Sequence, residues 1–311
     1  MIRLPRKALA LFAGFVVVTG ACSGSSATFQ PTTTGPGGST GPGGSTGPGA
    51  TPAPATVNAN DPSSIISQVI SAGPATKSFH LKIAVSGTIL AAALKSTGES
   101  PLGAITSDLK LDGTAIEGDV DVANAAAHLA LTVPAMQVLG NIPITGDFIV
   151  KDQILYYKVD LLGPKYTKED LGSLTSGLPV AVPTAGASAM AGVQDQIAEI
   201  RASLDKAGAK ATLVGLEQVG GKDAYHINIS VPVDYLNQQI AAEASAAPGM
   251  KIDSASADVW VYKADYRLAK VDIKAASSTV GNIDVSVTVT NYDQPVTITA
   301  PPASQIQATS T

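Results

Sequence analysis

The sequence predicts an α+β domain in which a strongly curved antiparallel sheet of about ten strands wraps over a few helices. Two observations carry that expectation. First, the dominant hydrophobic period is two. Phe79, Leu81, Ile83 and Val85 alternate with His80, Lys82, Ala84 and Ser86. Tyr225, Ile227, Ile229 and Val231 alternate with His226, Asn228 and Ser230, and Ile283, Val285, Val287 and Val289 with Asp284, Ser286, Thr288 and Thr290. Such strands have one apolar and one wet face, the mark of antiparallel sheet. Second, helical stripes are few, so the apolar side of many strands has little to cover it.

Weaker alternating runs lie at 107–112, 115–122, 126–133, 147–151, 154–160, 211–218, 257–263, 267–275 and 295–299. Gly220-Gly221-Lys222-Asp223 reads as a hairpin turn, and Lys263-Ala264-Asp265-Tyr266 as a weaker one. Asp61-Pro62 offers an N-cap and a proline at the first helical position, with Ile65, Ile66, Val69 and Ile70 on one face. Thr167 to Asp170 reads as a short capped helix. Met190, Val193, Ile197, Ile200 and Leu204 form a helical stripe that stops at Gly208, and Asp234 opens a last helix with Leu236 and Ile240 inward.

The ends of the chain have a different character. Arg3, Arg6 and Lys7 precede the apolar run Ala8 to Val18, which is too short to span a bilayer but suits a signal peptide over residues 1–21. Small residues lead into Cys22, the single cysteine of the chain, so cleavage there and acylation of Cys22 are expected. With one cysteine, no disulfide can form within the chain. Residues 22–60 then read as the lipidated cysteine and a disordered tether, in which Gly-Pro-Gly-Gly-Ser-Thr recurs from Gly35 and Gly41. Its 38 residues after Cys22 give a coil dimension of about 35 Å. One domain is expected over 61–300, followed by a disordered tail at 301–311.

Composition narrows the function. Charged residues make up 14% of the 311-residue chain and the net charge is −5. Without Arg3, Arg6 and Lys7 there remain 17 basic against 25 acidic residues, a net charge of −8. Nucleic-acid binding rests on cations that neutralise phosphates, so it is set aside. The search for catalysis is nearly empty. Gly37 to Gly41 and Gly43 to Gly47 match G-x-S-x-G, but both lie in the tether, where no strand–turn–helix can form. Gly220-Gly221-Lys222 is followed by Asp223 where a phosphate loop needs Ser or Thr. His80, His128 and His226 sit at wet-face positions without metal-ligand spacing and read as solvated or hydrogen-bonded strand residues. Asp119 and Asp121 share a strand face and read as wet sheet. No catalytic residue, metal or cofactor is expected. Trp260, between Val259 and Val261, either packs in the core or lines a ligand cavity.

Several stretches resemble the LppX/LprAFG family of envelope lipoproteins, whose domain is similar to the lipoprotein carriers LolA and LolB. Ser78-Phe-His-Leu81 with Ser86-Gly87 resembles the family's first strand, and Gly113 to Val133 its second and third. Val219 to His226 followed by Ile229 to Asp234 is the nearest match, and Ala257 to Tyr262, Tyr266 to Leu268 and Val289 to Val296 resemble the closing strands. The resemblance implies an antiparallel half-barrel enclosing an apolar cavity for acyl chains, and a non-enzymatic carrier of lipid or glycolipid at the extracytoplasmic face of the cell membrane. A membrane transporter would be a possible partner. The expected cavity residues are Phe79, Leu81, Ile83, Val85, Leu129, Leu131 and Val133, the stripe Val193, Ile197, Ile200 and Leu204, and Trp260. Gly177 to Gly192 is either a segment at the cavity mouth or a plain loop. The alternative reading is a tethered sensor or assembly factor that binds a protein partner in the cleft.

Overall fold

The computed structural model describes residues 58–96, 107–136, 141–171, 207–242 and 251–307. The expected signal peptide, Cys22, most of the tether, Gly177–Gly192 and the stripe Val193, Ile197, Ile200 and Leu204 lie outside them. Twelve strands form one sheet: β1 Ser78–Ile89, β2 Leu109–Lys110, β3 Thr114–Asp121, β4 Ala126–Met136, β5 Ile142–Lys151, β6 Ile154–Val159, β7 Thr167–Asp170, β8 Lys210–Val219, β9 Lys222–Ser230, β10 Ser254–Tyr262, β11 Leu268–Ser277 and β12 Gly281–Thr290. Three α-helices accompany them among the described residues: α1 Pro62–Ala72, α2 Ala91–Ser96 and α3 Val233–Ala242. The fold is thus the expected antiparallel sheet with few helices, with somewhat more strands than foreseen.

The order across the sheet is β7-β6-β5-β4-β3-β1-β12-β11-β10-β9-β8. Each half is therefore a meander of consecutive hairpins, and the halves meet where β12 returns to pair with β1. Every paired neighbour is antiparallel. β3 stops pairing with β1 at Val85, and β2 takes over that edge at Thr88 and Ile89. Gly220 and Gly221, at φ +58° and +77°, close the β8–β9 hairpin in the left-handed conformation that a two-residue turn needs.

α1 is set by its sequence. The Asp61 carboxylate accepts from the Ser63 amide at 3.0 Å, and Pro62 occupies the first helical position. Its apolar stripe packs on one face of β8–β10, where Ile65 joins Tyr225, Ile227 and Val261 in a buried cluster edged by Ile66 and Val69. Ile65 is fully buried. Ile65→Ala is expected to cost about 2–5 kcal/mol, read as a lower urea midpoint with an unchanged m-value.

Two expectations are corrected. Thr167–Asp170 is not a helix but strand β7, paired with β6 from Tyr157↔Thr167 to Ile154↔Asp170. Four residues are too few to nucleate a helix on their own, and the β6 edge supplies ladder partners. Residues 301–307 are not a disordered tail. Ile306 bridges Tyr166, the Gln307 amide donates to the Tyr166 carbonyl at 2.8 Å, and Pro301 is buried. Upstream of this, 295–299 is not a strand. It crosses the wet face, where Ile298 packs with Ala126, Ile149, Tyr156 and Tyr166. An apolar residue in each piece, Ile298 and Ile306, gives the segment something to bury.

Candidate functional site

The strand registers put the apolar residues on one continuous face. Phe79, Leu81, Ile83 and Val85 on β1 stand beside Val120, Gly118, Ile116 and Thr114 on β3. Leu129 and Leu131 on β4 pair with Gly118 and Ile116, and with Phe148 and Gly146 on β5, while Val133 pairs with Ile144. Seven of the expected cavity residues thus share a face. They differ in cover. Phe79 and Leu81 are 2% exposed and pack with Val287 and Val289 in a closed cluster, and Val85 is buried too, whereas Ile83, Leu129, Leu131 and Val133 are half-buried.

Two glycines thin this face. Gly118 lies between Leu81 and Leu129, and a Cβ there would meet the His128 carbonyl oxygen at 1.9 Å. Gly146 lies between Leu131 and Val159, and a Cβ would meet the Phe148 ring at 2.9 Å. The glycines let the β4 backbone and the Phe148 ring come close to the sheet beside half-buried Leu129, Leu131 and Phe148. Phe148, Tyr157 and Val159 on β5 and β6 continue the apolar face beyond the expected residues. The signal for this part in the sequence is the alternation Ile144, Gly146, Phe148, Val150, which the glycine weakens.

Trp260 does not belong to this face. It pairs with His226 and Lys270, on the side opposite Val259 and Val261. The indole stacks on the His226 ring with centroids 4.4 Å apart, donates to Glu217 at 2.8 Å, and lies under the Lys270 ammonium at 4.8 Å. A polar tip that finds a carboxylate and a face that finds a cation hold the ring on the wet side. The cavity role expected of Trp260 is therefore withdrawn.

All three histidines lie on this wet face, each against acid. His226 bonds Glu217 through Nδ1 at 2.8 Å and Asp258 through Nε2 at 3.0 Å. His80 bonds Asp119 at 2.8 Å and Glu117 at 3.3 Å. His128 bonds Asp147 at 2.7 Å, and the Tyr166 hydroxyl donates to the other oxygen of that carboxylate. Burial and the Asp147 charge push Tyr166 up to about 12. Asp119 is thus a histidine partner, whereas Asp121 is buried and accepts from the Asn124 amide and side chain at 3.1 and 2.8 Å. Among the described residues no group of His, Cys, Asp and Glu could hold a metal ion.

Burial opposes charge on His226, but Asp258 and Glu217 outweigh it and hold its pKa above the ordinary 6.5. Trp260 and His226 hold Glu217 below its ordinary 4.5. Asp258 is held below 3.8, because the bonds from Asn228 and His226 outweigh its burial. The histidine contribution is complete below its unfolded pKa of 6.5 and is lost as pH rises through the higher folded value. The carboxylate contributions are present above 4.5 and 3.8 and are lost as pH falls through the lower folded values. The cluster is therefore most stabilising between about pH 4.5 and 6.5. In a His226→Gln chain the decline of the unfolding midpoint above that window is expected to flatten. An unchanged pH profile would show that the cluster carries no linkage.

The described residues thus form one antiparallel sheet with an apolar side and a wet side tied by paired charges. The sequence matches the profile of the LppX_LprAFG lipoproteins over residues 61–298, and the chain belongs to that family. Among solved structures it is similar to the lipoprotein LppX of Mycobacterium tuberculosis, at 16% identity over 76% of this chain and 96% of that one, with a TM-score of 0.40. LprF of Mycobacterium bovis aligns at 14% identity over 76% and 95%, also at 0.40. A LolA-superfamily protein of Nitrosomonas europaea aligns at 10% identity over 75% and 94%, with a TM-score of 0.23. No curated protein matches the chain.

Proposed function

We propose that this lipoprotein encloses acyl chains of a lipid or glycolipid against the apolar face of β1 and β3–β6, and carries them through the cell envelope without catalysing a reaction. The observation that carries the reading is the half-buried apolar wall of Leu129, Leu131, Val133 and Phe148 on neighbouring strands. Each methylene moved from water to such a wall is worth about 0.8 kcal/mol, so a dozen of them stabilise a bound chain by about 10 kcal/mol. Family membership supports lipid binding. Residues 1–21 serve as the signal peptide, Cys22 as the acylated anchor and 23–60 as the tether, with 61–300 as the binding domain. A membrane transporter would load or unload it.

A fluorescent fatty acid titrated into the purified protein tests the reading. Saturable binding, displaced by a lipid extract of the envelope, is expected. If no probe binds and a protein partner is captured in the cleft instead, the chain is a tethered sensor or assembly factor. Cys22→Ala is expected to release the protein from the membrane fraction while leaving its unfolding midpoint unchanged, because an acyl anchor adds membrane affinity and no core contacts. Retention on membranes after a salt wash contradicts this.

A further inference from the structure

Exposed leucines scattered singly are ordinary, but these are not scattered. Among the described residues the exposed large apolar side chains are Ile142, Leu161, Leu162, Val214 and Leu216. Leu161 and Leu162, 55% and 69% exposed, are consecutive in the 3₁₀ turn Asp160–Leu162 that follows β6. Ile142, 49% exposed, begins β5 at the same end of the sheet, and the turn contacts β5. The Asp160 carboxylate is engaged by the Thr145 hydroxyl, which ties the polar residue of the turn to β5 and leaves the leucines outward. The two residues that lead up to this tip, Val159 and Ile144, belong to the apolar wall through their pairs Gly146 and Val133. The tip extends the wall past its end.

We propose that the apolar tip of Leu161, Leu162 and Ile142 docks the domain on a lipid bilayer, holding that end of the apolar wall against the membrane. Few charges lie at this end of the sheet: Lys158, Lys165 and Asp160 flank the turn in sequence, whereas Glu169 and Asp170 pair with Leu155 and Ile154 toward the other end of β6. With a net charge of −8 once Arg3, Arg6 and Lys7 are removed, long-range attraction to anionic lipid does not drive the contact, so insertion is apolar and insensitive to salt. Three side chains fall well short of the roughly 800 Å² per partner that a stable dimer buries, which favours a bilayer over a second copy. The docking serves the carrier reading above, but its test is separate.

The full-length chain is reconstituted through its anchor in phosphatidylcholine vesicles with brominated acyl chains. Leu162→Trp is compared with Leu216→Trp, another exposed position, on the far edge strand, with buried Trp260 a constant background in both. Fluorescence at position 162 is expected to be quenched several-fold more strongly than at 216, unchanged in high salt. Leu161→Ser with Ile142→Ser should remove that quenching. Equal quenching at both positions, or none, overturns the proposal. So does a blue shift at 162 that depends on protein concentration without vesicles, which would mark a second copy. If 162 is quenched but no acyl probe binds, the carrier reading fails and the docking stands; the reverse result sinks the docking alone.

Discussion

A Gly87→Ala chain is expected to lose about 3–5 kcal/mol, much of the stability of an ordinary domain, and to accumulate unfolded in moderate urea. Gly87 sits in β1 at φ +123°, a conformation that side chains resist, and a Cβ there would lie 2.2 Å from the Asn282 carbonyl oxygen. The place matters as much as the contact. β1 and β12 form the seam where the two meanders join, so a shift there parts the halves of the sheet. The partner strand approaches just as closely, since a Cβ built at Gly281 on β12 would lie 2.0 Å from the Thr88 carbonyl oxygen. Gly163→Ala is the control. Its φ is +128°, but nothing lies within 4 Å, so only the backbone cost of about 1–2 kcal/mol remains. Equal urea midpoints for the two variants would contradict the seam argument.

The second large effect is on binding. Leu131→Glu is expected to weaken acyl-probe affinity by more than about tenfold, since a carboxylate facing an acyl chain costs several kcal/mol of desolvation. Leu131 stands between Ile116 and Gly146 on the apolar face, and belongs to none of the four buried clusters. The fold is therefore expected to survive, with a midpoint close to that of the unmodified chain. Val214→Glu, on the exposed edge strand, should leave affinity unchanged. Unaltered probe binding by Leu131→Glu would place the ligand elsewhere.

Period-two alternation made the long strands readable, because one-sided burial constrains every second residue. On β1, the order Phe79, Leu81, Ile83, Val85 is the face found in the structure. The reading stopped where the deciding contact is far away in sequence. Trp260 is flanked by valines, so its own strand does not say which face needs it. Glu217 and His226, two strands and one strand away, settle the question, along with the register shift after Trp260. Thr167–Asp170 is charged at every position but the first, and only the waiting β6 edge makes it a strand. The end of the chain looked dispensable by composition, and Ile306 against Tyr166 shows how one apolar residue can anchor such a segment.

Native mass spectrometry of the full-length protein, released from membranes and exchanged out of detergent, tests the central claim most directly. The account predicts a bound mass of one acylated lipid that survives desolvation, appears in an organic extract of the same sample, and is absent from the Leu131→Glu chain. A bare protein mass, with nothing in the extract and a wall filled by the chain's own side chains in an experimental structure, would contradict it.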